Sequence, residues 1–569
     1  MPGRHRQRGR RFTRRARRTA LYVALTLALV SLTTFAVQLV AADSEGCRTR
    51  NEVRLTVAAS PEVAPAVQEA AQQWGETKPE VNGDCIQVQV RAAASADIAG
   101  ALAARVGGRM DVAATSAQTP AAADLPAVWI PDSVAWLNRL RGVDRAAVAG
   151  ATPSTATSPV VLAVPEPAVQ EVFGPGGRRV TPAALRQLVD RLAKKELTLA
   201  VVDPRRDTAG LAGAMLLRTT IVTSQEKLAV LVFAYRGIGK LPDQAALRQA
   251  YRQGLQLSTM SEQAVLAYNG GRPSVPLVAV PLAEGGPVLD YPFALLSGVP
   301  RDVEEAATQF RAVLADGRYR DVFGRHGFRA PDGAAPASFP TGRGASADPI
   351  VVNAVARADA VQSTLDLWTA AVEPSRTLAL LDITSSMGQQ LRPGVTKLGV
   401  LRAAAKTGLA LFSDESQVGI WAFAANLPTG RHYLEAVPIG RLTLAQRDRI
   451  TRSIDAARPS ATNECALYES LLTAYRKIKD GYAPDRTNRV VVFTDGRNTV
   501  RGMNLERLQR ELELLGDVTR PVRVTLVGVG ADVDMDELNA IAVATGAKQA
   551  FQVLNPNDIE VVFLNALLS

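Results

Sequence analysis

Hydrophobic residues in this chain occur in short unbroken runs, and between the runs apolar residues recur every three or four positions. A short apolar run is typical of a strand buried on both faces, and the wider spacing is typical of an amphipathic helix. Strands that alternate with helices predict an α/β fold with largely parallel sheets. The predicted strands are residues 53–59, 86–90, 110–114, 158–165, 197–202, 275–280, 290–296, 378–381, 418–423, 490–493, 522–529 and 551–554.

Two of these runs end in oxygen-bearing side chains. One run ends at Asp382 and continues with Thr384 and Ser386, and a later run, residues 490–493, leads to Asp495. Open α/β sheets bind ligands at the carboxyl ends of their strands, where loops can turn such side chains toward one point. Oxygen donors that include a full negative charge suit a hard cation, Mg²⁺ before Zn²⁺.

These residues resemble the metal-ion-dependent adhesion site of the von Willebrand factor type A (VWA) domain. The family pattern is Asp-x-Ser-x-Ser, a middle-loop Thr and a later Thr-Asp-Gly. The resemblance covers about 200 C-terminal residues and implies a doubly wound, Rossmann-like sheet. It implies that Asp382, Thr384 and Ser386 are the first-loop metal ligands and that Asp495 holds the metal through water. The implied metal is Mg²⁺, with Mn²⁺ or Ca²⁺ as alternatives.

The middle loop departs from the family pattern. Residues 462–468 place Cys465 where the family has Thr. Thr462 could reach the metal in its stead, so Thr462 is the predicted middle-loop ligand and Cys465 remains the alternative.

The order of strands and helices before residue 335 resembles the bilobed fold of extracellular, periplasmic-type solute-binding proteins. In that fold helix amino termini and hydroxyl groups face a cleft between two lobes, which favours anionic or polar solutes. The predicted ligand contacts are Ser60, Ser116, Thr208 and Tyr291, with Trp129, Trp136 and Tyr291 as walls. The alternative is that Ser60 only caps its helix and that both Trp side chains only fill the core.

The net charge of +10 is concentrated at the amino terminus, where nine arginines fall within the first 18 residues. The rest of the chain is nearly neutral, which argues against a nucleic-acid partner. Residues 19–42 carry no charge, and about 20 apolar residues can cross a bilayer as a helix. The basic tail predicts a cytoplasmic amino terminus and an extracytoplasmic remainder. A cleaved signal peptide is the alternative.

The chain has three cysteines and three histidines. Outside the membrane a disulfide is permitted, and Cys47 with Cys85 is the predicted pair. Cys465 is then predicted to be a buried, free thiol. So few histidines, and no nucleophile-base motif, indicate that the protein is not an enzyme.

The segment from 330 to 350 is rich in Pro, Gly, Ala and Ser, which is typical of a linker. The predicted organisation is a basic tail, a transmembrane helix, a solute-binding-like domain, a linker with a leading helix, and a VWA domain, at residues 1–18, 19–42, 43–335, 336–372 and 373–569. We expect a single-pass cell-membrane protein that captures an extracellular protein or cell-surface ligand through its metal site. The alternative function is a small-solute receptor associated with an ABC-type transport system.

Overall fold

The computed structural model describes most of the chain as two α/β domains joined by a helix. The described residues are 52–108, 110–113, 125–152, 154, 156–174, 177–222, 228–353, 357–428, 430–517, 519–547, 549–554 and 562. Within these ranges no helix has the length and apolar content needed to cross a bilayer. The predicted basic tail, transmembrane helix and Cys47 lie outside them, as does Ser116.

Within the described ranges, twenty strands form the sheets of the two domains. They are β1 Glu52–Ala59, β2 Glu80–Val81, β3 Asp84–Ala92, β4 Val128–Ile130, β5 Val148–Thr152, β6 Ser158–Pro165, β7 Ala200–Val202, β8 Gly239–Leu241, β9 Ser258–Ser261, β10 Leu277–Val280, β11 Val288–Leu289, β12 Phe293–Leu296, β13 Ser375–Asp382, β14 Gln390–Arg392, β15 Val395–Thr396, β16 Gln417–Phe423, β17 Tyr433–Arg441, β18 Thr487–Thr494, β19 Val522–Val529 and β20 Phe551–Val553.

The described α-helices cover the faces of these sheets. They are α1 Ala64–Gly75, α2 Ser95–Arg105, α3 Val134–Arg141, α4 Val169–Phe173, α5 Pro182–Ala193, α6 Thr208–Ile221, α7 Leu228–Gly237, α8 Gln244–Arg252, α9 Glu262–Gly270, α10 Arg301–Ala315, α11 Gly317–Arg325, α12 Ala358–Val372, α13 Lys397–Leu411, α14 Leu444–Ala456, α15 Leu467–Asp480, α16 Leu505–Leu515 and α17 Met535–Ala544.

The first domain has two lobes. The first lobe is built on a six-stranded sheet with the order β2-β3-β1-β4-β12-β5, in which β1 runs parallel to β3 and to β4. The second lobe contains β6 paired with β9, β10 and β11, and a separate parallel pair, β7 and β8. Several loops that follow the strands of both lobes therefore meet between the lobes.

The predicted strand at residues 110–114 is wrong. Residues 111–113 are irregular, and the strand in that part of the lobe is β4. The guanidinium of Arg139 donates to the carbonyl of Asp111, and that of Arg206 donates to the carbonyls of Val112 and Ala113. These carbonyls accept hydrogen bonds from side chains and not from the backbone of a neighbouring strand.

The second domain is a doubly wound sheet with the order β17-β16-β13-β18-β19-β20. Its strands are parallel except for β17, which pairs antiparallel with β16 at the edge. The sequence did not predict β17 or the following helix α14. Much of β17 is exposed, so it lacks the continuous apolar run that marks the central strands.

Helix α12 packs against the second lobe of the first domain. The Trp368 ring meets Tyr235 of α7 edge-on, with ring centroids 5.2 Å apart. Arg218 of α6 donates to the hydroxyls of Ser363 and Thr364 at 2.6 and 2.9 Å. One apolar cluster includes side chains of α7, α12 and the second domain. The two domains therefore share a hydrophobic core.

The Gly- and Pro-rich segment after β12 and α11 is irregular, as its composition predicts, but it is packed rather than open. Arg329, whose side chain is 1% exposed, forms an ion pair with Glu262 at 2.6 Å. The same guanidinium donates to the carbonyls of Gly333, Ser346 and Asp348. These bonds fasten residues 333–348 to the second lobe, and we call this arrangement the Arg329 clamp.

Cys465 is a free, buried thiol, as predicted. The predicted bridge between Cys47 and Cys85 depends on a residue outside the described ranges and stays a prediction.

Candidate functional site

Asp382 and Asp495 meet at the carboxyl edge of the second sheet. Asp382 is the last residue of β13, and Asp495 directly follows β18, the parallel neighbour of β13. Both are buried, with 0% and 4% of their surface exposed. The predicted convergence of the two strand ends is therefore present.

Hydroxyl groups connect the two carboxylates. Thr384 donates from its backbone N–H and from Oγ1 to Asp382 Oδ1, at 2.8 and 2.7 Å. Thr384 Oγ1 lies 3.0 Å from Ser386 Oγ, which donates to Asp495 Oδ1 at 2.9 Å. Thr494, which the sequence did not single out, donates to Asp382 Oδ2 at 2.6 Å. Five side chains thus form one continuous set of oxygen donors.

A lysine supplies positive charge at this cluster. Lys397 is the first residue of α13, and its side chain is 4% exposed. Its Nζ donates to Asp495 Oδ2 at 2.9 Å and to Asp532 Oδ2 at 2.7 Å. This ion pair could not be predicted from the sequence, because Asp532 is 135 residues away from Lys397 in the chain.

Neither middle-loop candidate adds an oxygen to the cluster. The Oγ1 of Thr462 accepts from the backbone N–H of Glu464 at 3.1 Å. Cys465 Sγ lies 3.7 Å from Asp382 Oδ2, so it occupies the place that the family's Thr would take. Thr462 lies beside the first loop, because its carbonyl accepts from the Ser385 N–H at 2.9 Å, and its role as the middle-loop ligand stays a prediction.

Burial shapes the electrostatics of the site. Desolvation raises the pKa of Asp382 to about 6, against hydrogen bonds from Thr494 and Thr384 that lower it. Burial also raises the pKa of the Cys465 thiol, and the nearby Asp382 adds to that effect. Burial alone would lower the pKa of Lys397, but its bonds to Asp532 and Asp495 leave that pKa raised. Cys465 is therefore a protonated thiol and a poor ligand for a hard cation.

Two of the predicted cleft residues, Thr208 and Tyr291, lie where the two lobes touch. Tyr291 is fully buried and its hydroxyl donates to Glu62 Oε2 at 2.6 Å. Thr208 Oγ1 accepts from Trp136 Nε1 at 3.1 Å, across the two lobes. Trp129 is buried within the first-lobe core, so as a wall of the cleft it is a wrong prediction.

Ser60 does not cap α1 with its side chain. The residue that precedes α1 is Val63, and no side chain caps that helix end. Pro65 stands in the first turn, so the helix starts later than the Ser-Pro pair suggests. Ser60 is 2% exposed, and its Oγ has no hydrogen-bond partner within the described part of the chain.

Three carboxylates at the lobe junction were missed in the sequence; Asp132 is buried, and Glu62 and Asp207 are half-buried. Glu62 follows β1 and accepts from Ser261 Oγ at 2.9 Å as well as from Tyr291. Asp132 follows β4, and Asp207 caps α6 by accepting from the Gly210 N–H at 2.7 Å. Only their position in the sequence could have marked them as candidates, because each is an acidic residue between the end of a strand and the next helix.

The charge at the junction is therefore opposite to the predicted one. Desolvation raises the pKa of Glu62 to about 7, and the nearby Asp207 and Asp132 add to this effect. Desolvation and the charge of Asp207 likewise raise the pKa of Asp132 to about 7. Burial also raises the pKa of Asp207. An anionic solute would meet three carboxylates here.

Models of two families match the chain in succession. The model described as a bacterial extracellular solute-binding protein matches residues 55–329, and the von Willebrand factor type A domain model matches residues 378–564. The chain is a solute-binding domain followed by a VWA domain. The predicted order of the two domains is confirmed.

The chain is similar to several other proteins. An uncharacterized protein of Mycobacterium tuberculosis, Rv1836c, is 24% identical over 535 residues, which cover 86% of this chain and 73% of that protein. The solved von Willebrand factor type A structure from Catenulispora acidiphila is 18% identical with a TM-score of 0.29, and the match covers 35% of this chain and 42% of that one. The sulfate-binding protein SubI from M. tuberculosis is 16% identical with a TM-score of 0.34, and the match covers 51% and 88%.

The donors of the VWA domain fit a small hard cation. The oxygens of Thr384, Ser386 and Asp495 follow one another at 3.0 and 2.9 Å. Adjacent ligands of an octahedral Mg²⁺, bound at about 2.1 Å, lie about 3 Å apart. The cluster also carries more negative than positive charge, because Lys397 is the only ammonium of the described residues bonded to Asp495 and Asp532 and a third carboxylate, Asp382, lies beside them. No group of three His, Cys, Asp or Glu side chains within the described ranges could hold a metal by itself, so the hydroxyls are needed.

Proposed function

We propose that the protein is an extracytoplasmic binding protein, anchored by residues 19–42, whose VWA domain captures a protein or cell-surface partner through a divalent metal. The observation that carries this proposal is the chain of oxygens from Asp382 through Thr384 and Ser386 to Asp495. We propose a binding function, because these oxygens are of the kind that hold a metal ion.

Asp382, Thr384, Ser386 and Asp495 would hold the ion. Mg²⁺ is the proposed ion, because the donors are hard oxygens and the available thiol is protonated. When bound, it supplies a coordination position that a carboxylate of the partner can fill. Lys397 keeps one oxygen of Asp495 engaged, so that carboxylate offers only Oδ1 to the metal.

Thermal unfolding of the full chain in Mg²⁺ and in EDTA tests the metal site. A ligand that binds only the folded state at a hundredfold excess over its dissociation constant stabilises that state by about 2.7 kcal/mol. Asp382→Ala should abolish this gain and still fold, because removing one carboxylate relieves repulsion at the cluster. Asp455→Ala is the matched control, since Asp455 lies in an exposed ion pair with Lys406. Equal melting temperatures in Mg²⁺ and EDTA for the wild type would end the proposal.

A second candidate function is that of a small-solute receptor, as predicted for the transport alternative. The specific observation that favours it is the buried polar junction between the lobes, where Ser60 Oγ has no partner among the described residues.

The Cys47–Cys85 disulfide would brace the first lobe near the membrane. Finding more than one reactive thiol per chain after unfolding without reductant would refute that disulfide.

A further inference from the structure

The three carboxylates at the lobe junction are bonded only to uncharged donors. Glu62 accepts from the hydroxyls of Ser261 and Tyr291, and Asp207 accepts from the Gly210 N–H and from Gln244 Nε2. The uncharged side chains of Thr208, Ser95 and Trp136 surround Asp132 and lower its pKa, against the larger effect of burial. Buried carboxylates are ordinarily paired with a cation, because an isolated buried charge is costly.

The guanidinium of Arg139 interacts electrostatically with Asp132 but is not hydrogen-bonded to it, and its Nε has no hydrogen-bond partner among the described residues. Arg139 stacks on the Trp136 ring at 4.5 Å and donates to the backbone carbonyls of Asp111 and Arg205. The neighbouring acid Glu262 already has Arg329 as its partner, and Asp290 accepts from the N–H of Val134 at the start of α3. No lysine or arginine of the described ranges is hydrogen-bonded to Glu62, Asp132 or Asp207.

Two buried acceptors at the junction also lack a donor. Asp132 is 9% exposed and its Oδ1 has no partner, and Ser60, at 2% exposed, has an unpartnered Oγ. The Ser60 N–H donates to the carbonyl of Ile130 at 2.8 Å, which places Ser60 beside the end of the strand that leads to Asp132. Unpaired buried acceptors destabilise the folded state, and a ligand that donates hydrogen bonds to them removes that destabilisation.

We propose that the solute-binding domain takes an organic cation, a solute with an ammonium or guanidinium group, which sits between Glu62, Asp132 and Asp207. This inference rests on the receptor function of the first domain and is independent of the metal site in the VWA domain. The cation supplies the missing positive charge, and its N–H groups donate to Asp132 Oδ1.

An organic cation fits better than a bare metal ion. No group of three carboxylates, histidines or cysteines in the described part of the chain is close enough to coordinate a single ion. An ammonium or guanidinium spreads its donors over a wider span, and a guanidinium presents five N–H groups. The acids belong to both lobes, with Glu62 and Asp132 from the first and Asp207 from the second. Such a cation therefore bonds to both lobes at once.

Binding should strengthen as the pH rises through 7. Burial raises the pKa of Glu62 and of Asp132 to about 7, so both carry protons at pH 5.5 and are largely ionised at pH 8. Asp207 and Tyr291 face Glu62, and Arg139 faces Asp132. Burial raises the pKa of Asp207 as well, and Arg139, whose pKa is lowered to about 10, stays charged over this range.

Titration calorimetry on the full chain at pH 8 and pH 5.5 tests the proposal. The cationic probes are spermidine, L-arginine and putrescine, and the matched anionic and neutral probes are sulfate, succinate and glucose. At least one cationic probe should bind, about tenfold or more weakly at pH 5.5, and Glu62→Gln should weaken it by about tenfold or more at pH 8. Glu304→Gln, an exposed acid on α10, is the control and should not change the affinity.

The remaining outcomes separate this proposal from the receptor function. If sulfate, succinate or glucose binds and no cation does, the domain is a receptor but the proposed solute class is wrong. If none of the six probes binds at either pH, the class is overturned and the receptor function falls with it. If a cation binds and Glu62→Gln does not change its affinity, the cation binds away from Glu62. That result also overturns the proposal. None of these results bears on the Mg²⁺ dependence of the melting temperature.

Discussion

At the residue scale, Lys397 shows how a carboxylate cluster can be held together without a metal. Its ammonium bridges Asp495 and Asp532 from a side chain that is 4% exposed. A bound cation has a similar electrostatic effect, because it screens the repulsion between neighbouring acids. The lysine therefore stabilises the metal-free form and shares Asp495 with any ion that enters.

Lys397→Met should destabilise the metal-free protein and make it more dependent on Mg²⁺. Breaking a buried ion pair costs about 3 to 5 kcal/mol, because the carboxylate left behind has no partner. The rise in melting temperature from EDTA to Mg²⁺ should be larger for this variant than for the wild type. Lys406→Met on the same helix removes only an exposed pair with Asp455 and should change neither value measurably. A variant with the wild-type response to Mg²⁺ would show that Lys397 and the metal do not share Asp495.

Cys465→Thr should strengthen Mg²⁺ binding, and Thr462→Ala should leave it unchanged. Cys465 Sγ lies 3.7 Å from Asp382, whereas the Thr462 hydroxyl is bonded to the Glu464 N–H. A hydroxyl in place of the thiol adds a hard donor at the cluster. Mg²⁺ titrations followed by thermal unfolding measure both effects. Weaker Mg²⁺ binding in Thr462→Ala would instead assign the middle-loop position to Thr462.

At the element scale, the strands that carry the metal cluster could be predicted and its charge partner could not. β13 and β18 are buried on both faces, so their apolar runs marked them and placed Asp382 and Asp495 at one edge. Lys397 has the sequence context of an ordinary helix start, and its pairing depends on how α13 lies against the sheet. The same limit applies to Glu62, whose partners Ser261 and Tyr291 come from distant loops.

Trp368→Ala in α12 should lower the free energy of unfolding by about 3 to 5 kcal/mol. Trp368 is fully buried and packs against Tyr235 of the other domain, so the variant opens a cavity in the shared core. Urea denaturation measures the loss. Gln362→Ala, an exposed position on the same helix, should cost less than about 0.5 kcal/mol. Equal losses in the two variants would mean that α12 is not held by the shared core.

At the scale of the whole molecule, the buried acids make the solute-free protein sensitive to pH. A carboxylate whose folded pKa is raised binds more protons in the folded state, so the stability it contributes falls as the pH rises from its unfolded pKa to its folded pKa. For Glu62 that window runs from about 4.5 to about 7. Carboxylates with lowered pKa, such as Asp203, give their full stabilisation above about pH 5 and do not offset this loss.

The solute-free protein should therefore be less stable at pH 8 than at pH 5, and Glu62→Gln should remove about 2 kcal/mol of that difference. Chemical denaturation at the two pH values measures it. Asp302→Asn, at an exposed acid on α10, is the control, and its free energy of unfolding should depend on pH as in the wild type. A Glu62→Gln variant with an undiminished pH dependence would show that Glu62 does not titrate in this window.

The Arg329 clamp has a consequence for digestion by proteases. Cleavage needs a stretch of backbone that can leave the surface and enter the protease, and a Gly- and Pro-rich segment between domains is an ordinary place for it. Here the carbonyls of Gly333, Ser346 and Asp348 are fastened to a guanidinium that is itself buried against Glu262. A brief trypsin treatment should therefore leave the bond after Arg343 intact, and the two domains should remain on one polypeptide until the second lobe itself unfolds.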